Sequence, residues 1–227
     1  MNIKTRLSRR CTCEQLEQRA MLTTFVVDTL SDTVDAQDNR TSLREAVLAA
    51  NENPGEDEIV FADRVTGRLL LQNGELEISD SVRVIGPGAH LLTIDALGND
   101  PTPQDANGDG SPAFAVGREI REPFSRFHLS DVTLTGADGG ALSVSLGSLS
   151  RVVVEGNSGG AVGIARPITS VADGEDEWFR ITDSVFRNNS PGTAFGVNGG
   201  AISAGAKLHI ERSLFEGNQA GDAGAIQ

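Results

Sequence analysis

Apolar and polar residues alternate along this chain in short runs, and the runs repeat. Four segments align by hand, starting at Phe127 (FHLSDVTLTGA), Gly147 (GSLSRVVVEGN), Phe179 (FRITDSVFRNN) and Leu208 (LHIERSLFEGN). Leu129, Leu149, Ile181 and Ile210 fall in one register, and Leu134, Val154, Phe186 and Phe215 in another. Period-two alternation predicts strands with one buried face. Small turns recur at Gly139-Gly140-Ala141, Gly159-Gly160-Ala161 and Gly199-Gly200-Ala201, with Gly224-Ala225 as a fourth. Each unit reads as one strand, a tight turn, the Gly-Gly-Ala segment and another strand. Such a unit cannot bury its apolar face alone, so the repeat predicts a solenoid of stacked parallel strands.

One segment has a different period. Leu43, Ala46, Val47 and Ala50 form a helical stripe over Thr41 to Asn51, and Pro54-Gly55 ends it. Ser42 and Glu45 make a capping box. A single amphipathic helix ahead of a strand array is expected to cover the open apolar end of the solenoid. Short strands are expected at 25–27, 59–61, 69–71, 76–78, 82–85 and 91–94. Polar stretches at 98–112 and 165–178 read as loop excursions. The organisation is thus 1–22 as an export leader or tail, and 23–100 as cap and first coils. Residues 101–126 follow as a loop and connecting strand, and 127–227 as repeat coils.

The outward positions carry an order of their own. Asp131, Arg151, Asp183 and Arg212 share one repeat position, and Glu155, Arg187 and Glu216 share another. If the coils stack as aligned, opposite charges alternate along two ladders. Each such pair is worth roughly 0.2–1 kcal/mol and would help to set coil register. Asn157, Asn189 and Asn218 recur where each unit turns. Asn tolerates the left-handed conformation, and stacked amides can pair along the axis, so a structural role is expected. His128 and His209 share a position with Ser148 and Arg180 between them, and read as a solvated stripe rather than a metal site.

Composition narrows the function. The 227 residues have a net charge of −13 and include 26 Gly, one Trp and no Tyr. Residues 1–22 hold five basic and two acidic side chains, so that segment is +3 and the rest −16. An acidic body of this kind argues against binding nucleic acid. Cys11 and Cys13 have no His or second Cys pair nearby, which removes a zinc-site reading. No apolar run reaches 18 residues, so no transmembrane helix is expected.

Asp105, Asn107 and Asp109, with Gly110 sixth in the run, resemble the start of a calcium loop. The twelfth position is Val116 instead of Glu, so a polar loop rich in turn formers competes with a calcium site. Otherwise no cofactor is expected. A polysaccharide lyase or hydrolase needs clustered acids along a groove, with a basic partner. No such cluster stands out, and Lys occurs only at Lys4 and Lys207.

Thr41-Ser42-Leu43-Arg44-Glu45-Ala46-Val47 followed by Ala50-Asn51 resembles the Ser-Leu-Arg-Glu-Ala-Ile motif of the CSLREAI domain, with Thr41 where that family often has Cys. Asp57 to Phe61 and Ile85 to Asp95 continue the likeness. The Asn and Gly-Gly-Ala repeats are similar to those of polymorphic outer-membrane and autotransporter-like surface proteins. Leu16-Glu17-Gln18-Arg19-Ala20-Met21-Leu22 is similar to the Leu-Glu-Pro-Arg leader of planctomycete exported proteins, with Gln18 in place of Pro. The resemblance implies a right-handed parallel β-helix of the pectin-lyase-like type, secreted or at the cell surface or outer membrane, in a family mostly without assigned activity. It also implies further coils, so the stop at Gln227 reads either as a fragment of a larger surface protein or as an uncapped end able to self-associate.

The expected fold is therefore all-β, a right-handed parallel β-helix with one N-terminal capping helix. The expected function is a non-catalytic surface scaffold or adhesin-like segment. The alternative is a β-helix that binds or degrades extracellular polysaccharide.

Overall fold

The computed structural model describes residues 22–117, 125–165, 178–191, 200–220 and 225–227. The leader up to Met21, both cysteines, most of the 165–178 excursion, Gly199 and Gly224 lie outside them.

Strand β1 (Thr24–Val27) is followed by helix α1 (Leu43–Glu52). The first coil is β2 (Asp57–Phe61), β3 (Gly67–Leu70) and β4 (Leu76–Ile78). The second is β5 (Val82–Ile85), β6 (Leu92–Asp95) and β7 (Phe114–Val116). The third is β8 (Arg126–Ser130), β9 (Thr133–Thr135) and β10 (Leu142–Val144). The fourth is β11 (Leu146–Ser150), β12 (Val153–Glu155) and β13 (Val162–Ile164). The fifth is β14 (Phe179–Thr182), β15 (Val185–Arg187) and β16 (Ile202–Ala204). β17 (Leu208–Glu211), β18 (Leu214–Glu216) and a bridge at Ile226 begin a sixth.

Each coil gives one strand to each of three parallel sheets. The first sheet runs β1-β2-β5-β8-β11-β14-β17, the second β18-β15-β12-β9-β6-β3 and the third β16-β13-β10-β7-β4. This is a parallel β-helix. Its register matches the apolar repeat: Leu129 lies beside Leu149, then Ile181, then Ile210. Leu134, Val154, Phe186 and Phe215 stack likewise, with the last two rings 5.0 Å apart and nearly parallel. These side chains fill one continuous buried interior, and burial becomes partial in the last strands, at Leu208, Ile210 and Phe215.

One local expectation changes. The first stretch of each unit is two strands, not one. The chain bends between them at Asp131, Arg151, Asp183 and Arg212, whose φ values of 60°, 53°, 51° and 48° are left-handed. None is Gly, so each corner carries a steric cost of about 1 kcal/mol. The Gly-Gly pairs have a separate reason. A Cβ on Gly159 would meet Gly140 N at 2.8 Å, so these turns stack too closely for a side chain.

Helix α1 lies across the open end of the first coil, against β1, β2 and β4. Leu43, Ala46, Val47 and Ala50 are buried there, and Ser42 with Glu45 forms the reciprocal capping box. Arg44 adds a tie that the helical pattern does not show. Its Nε and Nη2 donate to Asp32 Oδ1 and Oδ2 at 2.8 and 3.0 Å, and it also donates to Gly74 O at 2.7 Å and Glu75 O at 3.0 Å. Asp32, 2 % exposed at its side chain, also accepts from Gln72 N and Asn73 N. The cap is thereby fastened to the turn that leads into β4.

Candidate functional site: the polar rows of the rod

The polar residues along the rod fall into an interior Asn row with a shorter Ser row beside it, two outward ladders, one loop cluster and one outward face of the first sheet.

The interior row is the Asn stack. Asn189 Oδ1 accepts from Asn157 N at 3.1 Å and from Asn157 Nδ2 at 3.0 Å. Asn189 Nδ2 donates to Val154 O and to Asn218 Oδ1, both at 2.9 Å. Asn157 Oδ1 accepts from Ala137 N, and Asn218 Nδ2 donates to Phe186 O. Asn157 and Asn189 are buried. The amides do pair along the axis, but the left-handed residues are their predecessors, Gly156, Asn188 and Gly217. The turn takes its positive φ one position earlier, and the Asn157 and Asn189 side chains are buried. A second interior row was not legible as one: Val152 N donates to Ser184 Oγ, and Ser184 N to Ser213 Oγ. Ser at 184 and 213 aligns with Val at 132 and 152, so the sequence offers no uniform residue to notice.

The outward ladders join neighbouring coils. Arg151 donates to both carboxylate oxygens of Asp131 at 2.7 and 2.6 Å, and Arg212 to both of Asp183 at 2.6 and 2.9 Å. Arg187 pairs with Glu155 one coil back, and Glu216 lies opposite Arg187 in register. The Arg151 and Arg212 guanidinium groups hold the carboxyls of Asp131 and Asp183 below the usual range. A carboxyl so lowered contributes stability above its ordinary pKa and loses it as pH falls through the folded value. Arg151 is 58 % exposed, so Arg151→Ala should cost under about 1 kcal/mol at pH 7. It should also narrow the stability gap between pH 7 and pH 3, read by urea unfolding.

The 98–112 excursion gathers carboxylates, though not the set predicted. Asp100, Asp109 and Asp138 bring oxygens within 4.8 Å of one another, whereas Asp105 is not in this group. Asn107 donates instead to Thr102 Oγ1 and Asp109 Oδ2. Asp138 comes from the next coil and accepts from Gly108 N of the excursion and from Ser158 Oγ of the coil beyond. Desolvation, then the neighbouring Asp138 and Asp109, push the Asp100 carboxyl up. The sign is opposite to that of the ladders: what Asp100 contributes is present at low pH and is lost as pH rises through its raised folded value. Asp100→Asn should therefore raise the melting temperature at pH 7 and leave it unchanged at pH 3.

Outside these rows, the cap helix and first coils enclose a cleft of about 880 Å3 lined by Arg44, Asn51, Glu56, Glu77 and Asp80, among others. Its arginine is the one already tied to Asp32. No helix among the described residues is long and apolar enough to cross a membrane.

On the first sheet, His128 and His209 point outward in one register row with Ser148 and Arg180. His128 Nδ1 lies 2.8 Å from Ser148 Oγ. Burial, then Arg83 nearby, hold the His128 pKa below its ordinary value, with Glu56 pulling the other way and Arg126 adding a smaller push downward.

Comparison of the chain with family models, curated proteins and solved structures finds no match.

Proposed function

We propose that the chain is a non-catalytic scaffold of an exported, cell-surface protein of the CSLREAI and outer-membrane-repeat type, a rigid rod that presents its outward face and loops. The observation that carries this reading is the use made of the repeated polar residues. Asp131–Arg151, Asp183–Arg212 and Glu155–Arg187 each join one coil to the next, and the Asn row is sealed in the core. Charged side chains bound to each other in this way hold shape and are not poised to act on a substrate.

The test uses the full chain. Cell fractionation should place it at the surface or outside the cell, and acidic polysaccharides incubated with it should keep their length. Retention in the cytoplasm would overturn export. Release of short products would overturn the non-catalytic reading and favour a polysaccharide-degrading β-helix.

A further inference from the structure

On the second sheet, an outward apolar column runs between two charged ones. The register of the fourth, fifth and sixth coils lines up Val153, Val185 and Leu214. Alternate residues share a face, so Arg151, Asp183 and Arg212 flank this column on one side and Glu155, Arg187 and Glu216 on the other. On the third coil the column is already covered, because Thr133 is buried and donates to Ala89 O. From the fourth coil on, the face stays open although its charges are paired along the rod. Arg151 and Arg212 are each 58 % exposed, Arg187 47 % and Leu214 52 %. It is also neutral on a chain of net charge −13, since three Arg stand against Glu155, Asp183 and Glu216. On every coil the signs are opposed across the apolar column: Arg151 against Glu155, Asp183 against Arg187, Arg212 against Glu216.

We infer that this face is a lateral contact with a second copy of the chain, the two rods lying side by side about a two-fold axis parallel to both. That operation exchanges left and right on the face and leaves each coil at its own level. The apolar column meets itself, Val153 on Val153, Val185 on Val185 and Leu214 on Leu214, as an isologous contact requires. Arg151 then meets Glu155 of the second copy, Asp183 meets its Arg187, and Arg212 meets its Glu216. The pairs within the chain need not break, because Arg151 keeps Asp131 along the rod while it faces Glu155 across the contact. Turning the second rod end over end on the same three coils would oppose like charges throughout, so the charge order selects the parallel arrangement. Elsewhere two acidic bodies repel, whereas a neutral face lets them approach. Three strands about 4.8 Å apart and five residues of about 3.3 Å make a patch of about 14 by 16 Å, below the size of a stable dimer interface, so the contact is weak. The inference is independent of export and of the absence of catalysis.

The experiment is sedimentation velocity of the full chain from about 10 μM to about 1 mM, under reducing conditions that keep Cys11 and Cys13 from linking copies. The unaltered chain should pass from monomer to dimer over this range. Arg187→Glu opposes an acid to Asp183 of the second copy, and Asp183→Arg opposes a guanidinium to its Arg187. Each variant alone should associate at least about tenfold more weakly. Mixed one to one, the two should recover association close to that of the unaltered chain, because the new acid of one then meets the new base of the other. Arg already stands at the 183 position on the neighbouring coils, as Glu does at the 187 position, so both variants should keep the fold and its circular dichroism. A chain that stays monomeric throughout would overturn the inference. So would variants that still dimerise alone, or a mixture that does not recover, since mixing cures a mismatched contact and not a folding defect.

Discussion

Replacing Asn189 by Ala should lower the melting temperature by about 10 °C. Asn189 is fully buried, and its side chain makes four hydrogen bonds to two neighbouring coils. Truncation leaves Asn157 N and Val154 O inside the core without that partner, while Asn218 loses one of its two donors. Buried groups left unsatisfied cost about 1–3 kcal/mol each, so a total of about 4 kcal/mol is expected. Asn189→Asp should be no rescue, because it keeps the acceptors, removes the donor to Val154 O and buries a charge. The comparison that isolates the row is Asn218→Ala, at the half-exposed end, which should cost clearly less. Thermal unfolding of the three variants decides the matter. Equal small losses at 189 and 218 would mean that the amides do not carry the coil-to-coil contact.

Asp32→Ala should cost about 3–5 kcal/mol, the expected penalty for removing one member of a buried ion pair. Arg44 is 13 % exposed and keeps only its bonds to Gly74 O and Glu75 O once Asp32 is gone. The backbone donors of Gln72 and Asn73 also lose their acceptor. Because α1 covers the end of the core, its loosening exposes Ile59 and Leu76 and promotes aggregation. Limited proteolysis should therefore cut within 28–56 in Asp32→Ala well before the coils are attacked. The double variant Asp32→Ala with Arg44→Met should recover part of the stability, since no charge then remains buried alone. A protein equally stable with and without Asp32 would remove the tie from the account of the cap.

Much of this was legible in the sequence. The register of the apolar stack and the helix stripe follow from period alone, because burial on one face is what fixes both. The Asp131 and Glu155 columns were legible for the same reason, since alignment of the apolar residues aligns everything between them. What stayed hidden is backbone conformation and long-range pairing. Asp131 and Asp183 are of a type that tolerates a left-handed corner, but nothing in Arg151 or Arg212 announces one. The corner is held by the strands on either side, not by the residue's own preference. Asp32 sits twelve residues before Arg44 in an ordinary acidic loop. Asp100 and Asp138 meet Asp109 only because one coil lies on the next, so the linear Asp105-Asn107-Asp109 pattern named one of the three converging carboxylates. The His column follows from the repeat alignment, whereas Arg83 joins it only through coil geometry.

The most direct measurement is amide hydrogen exchange at Ala137, Asn157 and Asn189. These residues lie in turns, outside any strand, where exchange is ordinarily fast. Their N–H groups donate to the Asn oxygen of the following coil, at 3.1 Å in each case. The account predicts protection at these three amides close to that of the core strands β12 and β15. Rapid exchange there, with the strands still protected, would contradict it, because coils held together by an interior Asn row cannot leave those donors open to water.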